Sequence, residues 1–203
     1  MKYLILLLLL TGLVHSCNES DDEFNPTLPL ITQTGANTFG CYVDGVLVTP
    51  RNGATSTLGP ARGMIFSGNP PSSEFEYSEI NVQDYKSNAK GIIDVHIPDL
   101  SLNGEGTYII EDSNCLKGIF ANNTVNIRCL ILKDLSQPYT QYCSIANSGE
   151  LFISRYDFEN RIISGTFSCQ AVNQEDSSDI IEITQGRFDI KWDVLNTNII
   201  DFP

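Results

Sequence analysis

Histidine limits the catalytic and metal chemistry that this chain could perform. The sequence contains two histidines, His15 and His96, and His15 lies in an N-terminal segment that we expect to be removed. A Ser–His–Asp triad would therefore have to use His96, and the sequence lacks the Gly-x-Ser-x-Gly turn that often presents such a serine. A metal site built from several histidines is excluded for the same reason. His96 alternates with the apolar Val95 and Ile97, and this spacing predicts that it faces solvent from a strand.

Carboxylates offer two further kinds of chemistry. Glycoside hydrolysis needs only two acids at a suitable separation, but the 25 Asp and Glu residues supply many accidental pairs, so their number does not identify a hydrolase. The acidic clusters Glu111-Asp112 and Glu175 to Asp179 carry the hard oxygen ligands that calcium prefers, yet neither matches a twelve-residue calcium-binding loop. We interpret both clusters as solvated loops, and we predict no metal and no other cofactor.

Cys17 is the residue whose surroundings point most directly to a modification. Lys2 precedes an apolar run from Leu4 to Leu13, and Ser16 leads into the cysteine. A basic start, a short apolar core and a small residue at the cleavage point are typical of an export signal, and the run is too short to span a bilayer as a helix. Residues 1–16 resemble a bacterial lipoprotein signal, whose cleavage would leave Cys17 as a lipid-modified N-terminus. The alternative is an ordinary secretory signal that leaves Cys17 as an unmodified thiol.

An acidic run follows the cysteine. Ser20, Asp21, Asp22 and Glu23 resemble the export signal by which lipoproteins of Bacteroidetes reach the outer face of the outer membrane. The alternative is a solvated tether that is acidic by chance. Two or three acyl chains make a durable anchor, and nothing later in the sequence is apolar enough to span a bilayer. We therefore predict an outer-membrane protein that contacts the membrane only through its N-terminal lipid and faces the cell exterior.

The charge of the chain argues against several classes of partner. The sequence has 12 Lys and Arg against 25 Asp and Glu. Removal of the signal takes Lys2 away, so the mature chain carries 11 − 25 = −14. Such a protein repels the phosphates of nucleic acids and the surface of anionic lipids. We predict no nucleic-acid partner, and we leave a glycan or a protein as the candidate ligand.

Five cysteines remain after Cys17 in an exported chain, where disulfides can form. Cys41, Cys129 and Cys169 each share the apolar parity of a predicted strand, so we predict that they occupy core positions. Cys115 lies in a predicted loop and has two alternative partners, Cys143 and Cys129. The odd number leaves at least one thiol free, and the absence of a Cys-x-x-Cys pair argues against a zinc or thioredoxin-like site.

The elements that would position these residues are short strands. Residues 17–34 read as an acidic tether followed by a Pro-containing spacer, and residues 35–203 read as one domain without a second linker or a repeat. Runs rich in Ile, Val, Thr, Phe and Tyr alternate with Gly, Asn, Asp, Ser and Pro, as strands alternate with turns. We predict an all-β fold of about ten strands, an antiparallel β-sandwich with a partly open β-barrel as the alternative. A short helix within residues 51–74 or 112–123 would be compatible with this pattern.

The last predicted strand has an irregular pattern. Ile181 and Ile183 share one parity, whereas Phe188, Ile190 and Trp192 share the other. A β-bulge inserts one extra residue and so exchanges the two faces of a strand. The pattern therefore predicts a bulge near residues 185–187 and places Trp192 with the core.

Four stretches behind the lipoprotein-like signal resemble a family of Bacteroidetes lipoproteins of unknown function. They are Gln33 to Gly45, Gly149 to Ile153, Arg161 to Phe167 and Glu182 to Asp189. The resemblance implies location at the cell envelope, a β fold and a single globular unit. It implies no activity and no catalytic or binding residue.

These observations favour a binding or structural module over an enzyme. We predict a surface-exposed outer-membrane lipoprotein that is not catalytic, and we retain a carboxylate-dependent hydrolase acting on extracellular glycans as the alternative. A hydrolase would show two acids facing each other across a groove, at most about 9.5 Å apart. A glycan-binding module would show exposed aromatic rings, for which the sequence offers six tyrosines: Tyr42, Tyr77, Tyr85, Tyr139, Tyr142 and Tyr156.

Overall fold

The computed structural model describes residues 26–54, 59–86, 91–133, 136 and 138–202. The predicted signal, the lipidation site Cys17 and the export residues Ser20, Asp21, Asp22 and Glu23 lie outside the described residues. None of the helices in the described ranges has the length and the apolar character that crossing a bilayer would require.

The described chain is mostly β, which confirms the predicted class. Eleven antiparallel strands belong to one hydrogen-bonded sheet that curls into a half-barrel, a form consistent with a sandwich or an open barrel. The strands are β1 Thr38–Val43, β2 Val46–Val48, β3 Met64–Asn69, β4 Tyr77–Gln83, β5 Gly91–Pro98, β6 Gly106–Ile110, β7 Asn126–Ile131, β8 Thr140–Ser144, β9 Gly149–Asp157, β10 Ile162–Asn173 and β11 Ile180–Lys191. Helix α1 is Leu100–Asn103, a 3-10 turn covers Gly118–Phe120, and helix α2 is Trp192–Thr197.

The sheet divides at its longest strands. Its main path runs β2-β1-β11-β10-β8-β7-β5-β4-β3, but only the last residues of β10 pair with β8. The first half of β10 pairs with β9, and β9 pairs in turn with β6. Two wings therefore diverge from β10, a long wing that ends at β3 and a short wing that ends at β6.

The predicted bulge in the last strand is confirmed. The register between β10 and β11 shifts between Phe167 and Cys169, and the register between β1 and β11 shifts at the same level. Gln185 has a φ of 52°, so the non-glycine residue takes the left-handed conformation. Gly186 has a different role, because a Cβ there would lie 2.6 Å from the Phe167 ring. The bulge turns Phe188 and Ile190 into the core.

One sequence prediction about the end of this strand needs correction. The last strand ends at Lys191, and Trp192 begins α2, where it is only partly buried instead of lying in the core. Its ring packs against the rim of the core because the backbone turns at that residue. Residues 64–69, which lie in a region where a short helix was compatible, form β3. The short helical turn at 118–120 lies within the second such region.

The three cysteines that share the apolar parity of a strand lie in the core, which confirms the prediction. Cys41, Cys129 and Cys169 are buried, and all three are free thiols. Cys115 is bonded to Cys143, one of the two alternatives. This disulfide fixes the segment from 111 to 124 against β8.

His96 is buried, so the prediction that it faces solvent is wrong. Asp94 and His96 point to the side of β5 opposite to the apolar core, but this side is covered by the segment from 111 to 124. Within that segment Gly118 and Lys117 contact the polar side chains of β4 and β5. Strand parity gives the side of a sheet and cannot show whether a loop covers it.

The chain before β1 is bound to the sheet from residue 28 onwards. A Cβ at Gly40 would lie 2.6 Å from Pro29, so this segment passes close over β1. The Arg187 guanidinium donates a hydrogen bond to the Pro29 carbonyl. Thr32 and Thr34 both donate to the Asp189 carboxylate on β11. Only the part of the predicted tether before these residues is left to separate the domain from Cys17.

Candidate binding cleft

An open cleft of about 640 Å³ lies where the end of the long wing meets the β9–β10 hairpin and α2. Strand β3 and the β3–β4 turn form one wall, and the end of β9 and helix α2 form the other. Five aromatic residues line it: Phe66, Tyr77, Tyr156, Phe158 and Trp192. The Tyr77 ring stacks on His96 at 5.3 Å and does not join the other four rings. Aromatic walls with a few polar groups are the usual composition of a small-molecule site.

Trp192 is the centre of the aromatic cluster. Its ring stacks on Phe66 at a centroid distance of 5.3 Å and on Tyr156 at 6.1 Å, and it lies tilted to Phe158 at 6.4 Å. Phe66 is buried, whereas the Phe158 side chain is 46% exposed at the tip of the β9–β10 turn. The cluster therefore joins the core to the open surface of the cleft, and Phe158 is the ring that a ligand can reach with least rearrangement.

The β9–β10 turn is held in shape by the Asp157 carboxylate. The Asn160 backbone N–H and side-chain amide donate to Asp157 at 2.9 Å each, and Arg155 donates at 2.8 Å. The Asn160 hydrogen bond is the main cause that lowers the pKa of Asp157 to about 2. Arg161 closes the turn with a φ of 60°, a left-handed conformation that is unfavourable for a non-glycine residue. Its carbonyl accepts a hydrogen bond from the Trp192 N–H.

Hydrogen bonds join helix α2, which lies in one wall of the cleft, to β3 in the other wall and to Arg62, just before β3. The Asn196 amide donates to the Phe66 carbonyl at 2.7 Å. The Arg62 guanidinium donates to the carbonyl oxygens of Leu195, Asn196 and Asn198 at the C-terminal end of the helix. A cation is favourable there because the last carbonyls of a helix have no partner within it. The two walls of the cleft are thus connected through backbone groups and are preformed.

The charged groups of the cleft are two arginines and one glutamate. Arg62 and Arg161 carry positive charge, and Glu76 is the only carboxylate among the described residues that line the cleft. Glu76 accepts a hydrogen bond from the Ser101 backbone N–H at 2.8 Å. Burial raises the pKa of Tyr156, and the nearby Glu76 charge raises it further. Glu76 and Arg161 therefore both lie near the Tyr156 hydroxyl.

A second group of ionisable side chains lies under the segment from 111 to 124. The His96 ring nitrogen is 3.2 Å from Glu79, which also accepts a hydrogen bond from the Gly118 N–H at 2.7 Å. Burial raises the pKa of Glu79, but the bonds from His96 and Gly118 outweigh it and the net shift is downward. Arg128 donates twice to Asp94, and Lys117 lies 2.9 Å from its other oxygen. Asp94 is ion-paired, Glu79 is hydrogen-bonded, and both are buried, so they are not available to a substrate.

The acidic cluster from Glu175 to Asp179 is occupied by hydrogen bonds within the protein. Asp176 accepts two hydrogen bonds from Ser178 in its own turn. Asp179 accepts hydrogen bonds from Tyr142, Asn173 and Lys133, and these lower its pKa to about 2. Within the described ranges, no three His, Cys, Asp or Glu side chains are grouped so that they could hold a metal ion.

The buried thiols are poor nucleophiles. Burial raises the pKa of Cys169 to about 12, and it also raises the pKa of Cys41 and of Cys129. The thiolate is the reactive form of cysteine. These residues therefore pack the core, as the strand parity predicts.

The structure brings together some of the residues that the sequence singles out and adds others. Tyr77 and Tyr156 are two of the six candidate tyrosines, and both line the cleft. The sequence gives no signal for Phe66, Phe158 or Arg161, because each is an ordinary strand or turn residue until the wings are folded together. Comparisons with known protein families, with curated proteins and with solved structures find no match to this chain.

Proposed function

We propose that this protein is a surface-exposed outer-membrane lipoprotein whose β domain binds saccharides in the aromatic cleft. The observation that carries the proposal is the convergence of Trp192, Tyr156, Phe158 and Phe66 on one open cleft. The C–H face of a pyranose ring is apolar and packs well on an aromatic ring, while its hydroxyl groups seek hydrogen bonds at the rim. The cleft offers both kinds of contact.

Polar groups at the rim support a saccharide over a purely apolar ligand. Glu76 keeps acceptor capacity beyond its bond to Ser101, because a carboxylate has about four lone-pair sites. Arg161 keeps its guanidinium donors. The side chains of Ser67 and Ser78 also line the cleft. Hydroxyl groups of a sugar both donate and accept, so they fit a rim that contains donors and acceptors.

The number of carboxylates favours binding over glycan hydrolysis. Both standard mechanisms of glycoside hydrolysis use two acids across the scissile bond. Glu76 has no second acid among the described residues of the cleft lining. The buried acids Glu79 and Asp94 lie beneath a loop, where Glu79 is hydrogen-bonded and Asp94 is ion-paired.

A glycan-binding assay tests the cleft. The full chain, purified in detergent and placed on an array of bacterial, plant and host glycans, is expected to retain a defined set. Phe158→Ala removes the most exposed ring of the aromatic cluster and is expected to weaken binding about tenfold, in the range of a contact residue that matters. Phe120→Ala is the matched control, because Phe120 is 69% exposed and lies outside the cleft. Retention of no glycan, or equal binding by both variants, would contradict the proposal.

The anchor is tested separately. Cys17→Ala is expected to abolish metabolic labelling with a fatty acid and to release the protein from membranes. Replacement of Asp21 and Asp22 with Ala is expected to protect the domain from protease added to whole cells. Continued labelling of Cys17→Ala would contradict the lipid anchor, and unchanged protease sensitivity would contradict the export signal.

A further inference from the structure

The charge of the cleft opposes the charge of the whole chain. The sequence carries 25 acidic and 12 basic side chains and has a net charge of −13. The described residues that line the cleft include two arginines and one glutamate, so the cleft has a local excess of positive charge. A concave site focuses the field of its charged groups. An excess of cations at an aromatic cleft of an acidic protein favours a ligand with negative charge.

Arg161 differs from the other five arginines. The guanidinium groups of Arg51, Arg62, Arg128, Arg155 and Arg187 all donate hydrogen bonds to carboxylates or carbonyls. Within the described ranges the Arg161 guanidinium has no hydrogen bond and no ion pair, and it lies over the Phe158 ring at 4.4 Å from the centroid. A cation over an aromatic face is attracted by the ring without using its N–H donors. Arg161 therefore keeps its planar set of donors for a ligand.

The backbone around Arg161 fixes this presentation. Its left-handed φ of 60° ends the turn that Asp157 and Asn160 hold, and its carbonyl bonds to Trp192. Unfavourable backbone conformations that persist often occur at binding sites, where neighbouring contacts enforce them. The guanidinium is thus held next to the aromatic cluster rather than extended into solvent.

The other charged groups leave the positive excess in place. Arg62 bonds to three backbone carbonyl oxygens, which are neutral groups, so its charge is not cancelled by a carboxylate. Glu76 forms no ion pair with Arg161, since no such pair occurs within 4.0 Å among the described residues. Both lie near Tyr156. A ring stacked beside Tyr156 would meet an acceptor at Glu76 and a planar cation at Arg161.

We infer that the saccharide bound in this cleft carries an anionic group, a carboxylate or a sulfate, that pairs with the Arg161 guanidinium. This inference rests on the proposed function and specifies its ligand class. Guanidinium binds planar oxyanions through two parallel hydrogen bonds, which fixes the orientation of the anion as well as its position. The sugar ring packs on the aromatic side chains, its hydroxyl groups bond to Glu76, and its anionic group bonds to Arg161.

Matched probes test the inference in the full chain. We would titrate oligogalacturonate and its methyl ester, which have the same ring with and without the carboxylate charge, and oligomers of dextran sulfate and dextran. The emission of Trp192 reports binding, because it is the one tryptophan in the sequence. At least one anionic probe is expected to bind about tenfold to hundredfold more tightly than its neutral counterpart, the range expected of a charge-assisted hydrogen-bond pair. High salt is expected to reduce this preference.

Variants identify the residue responsible. Arg161→Gln is expected to bring the ratio of the two affinities, anionic over neutral, close to one, and Arg161→Lys is expected to restore part of the preference. Lys86→Gln removes the same charge from an exposed residue outside the cleft and is expected to have no effect. The neutral probe serves as the internal check that each variant is folded.

Each result has a definite meaning. If the unaltered protein binds each neutral probe as tightly as its anionic counterpart, or more tightly, the inference is overturned and the proposed function still stands. A full anionic preference in Arg161→Gln would also overturn it. Failure of all four probes, together with failure of a broad glycan array, would overturn both the inference and the proposed function. Which anionic probe is preferred distinguishes a carboxylate ligand from a sulfate ligand.

Discussion

Substitution of Asp189 with Asn is expected to lower the free energy of unfolding substantially. Asp189 is 1% exposed on β11 and binds the segment that precedes β1. One oxygen accepts hydrogen bonds from Thr32, Thr34 and Ala36, and the other accepts from Gly35 at 2.7 Å. The carboxylate therefore joins the N-terminal segment to the last strand of the sheet.

The magnitude follows from two contributions. Burial alone would raise the pKa of Asp189, but the hydrogen bonds from Thr32, Ser164 and the backbone N–H groups outweigh it and lower the pKa from 3.8 to about 2. At about 1.4 kcal/mol for each pKa unit, this shift corresponds to about 2 kcal/mol of stabilisation by the ionised form. The Asn side chain has one oxygen and one NH₂ group in place of the two carboxylate oxygens. At least one of the groups that donate to Asp189 would then face an N–H group and lose its acceptor, which costs about 1–3 kcal/mol. The expected loss is about 3–5 kcal/mol.

Urea unfolding of the full chain at neutral pH, followed by Trp192 emission, measures this loss. Asp201→Asn is the matched control, because Asp201 is exposed. Since the pKa of Asp189 is lowered in the folded state, its contribution is complete above the unfolded pKa of about 4 and is lost as the pH falls toward 2. The difference between the protein and its Asn variant should therefore shrink by about 2 kcal/mol over this range. A loss below about 1 kcal/mol at neutral pH, or a difference that does not change with acid, would refute the reasoning.

Three further predictions concern the disulfide, the bulge and the buried thiols. Replacement of both Cys115 and Cys143 with Ser is expected to lower the free energy of unfolding by about 3–4 kcal/mol, because the bond closes a loop with a sequence separation of 28; an unchanged urea midpoint would contradict this. Gly186→Ala is expected to cost about 1–3 kcal/mol, because the new Cβ would lie 2.6 Å from the Phe167 ring; the same measurement checks it, and Phe167→Leu in the same chain should recover part of the loss. The three free thiols should resist alkylation at neutral pH until urea unfolds the chain, because burial raises their pKa. Mass spectrometry after treatment with an alkylating reagent measures this, and alkylated cysteines in the folded protein would contradict it.

The sequence predicts the strand pattern well because parity is a local property. The irregular spacing in the last strand correctly predicts a bulge, since one extra residue must exchange the faces of the strand. The same reasoning fails for Trp192, where the strand ends and the parity stops applying. It also fails for His96, because a distant loop covers the polar side of its strand. Local spacing does not contain information about which loop will lie over which face.

The cleft could not be predicted from the sequence for a related reason. Phe66, Phe158 and Trp192 come from three separate elements that meet only after the sheet has divided at β10 and the long wing has curled back. Arg161 would pass in the sequence for a solvated turn residue. Its proposed role depends on its left-handed backbone and on its position over the Phe158 ring, which only the folded chain shows. The sequence leaves Cys143 and Cys129 as alternative partners for Cys115, because the spacing of cysteines does not fix which of them are bonded.

If the aromatic cleft is the ligand site, a bound ligand must change the environment of the Trp192 indole. The sequence contains one tryptophan, so a two-dimensional ¹H–¹⁵N spectrum of the full chain has one indole N–H signal. During titration with a glycan retained on the array, this signal should shift saturably, together with the backbone signals of Phe158 and Arg161. If the indole signal stays fixed while signals elsewhere in the domain titrate, the ligand binds at another place and the account of the cleft is wrong.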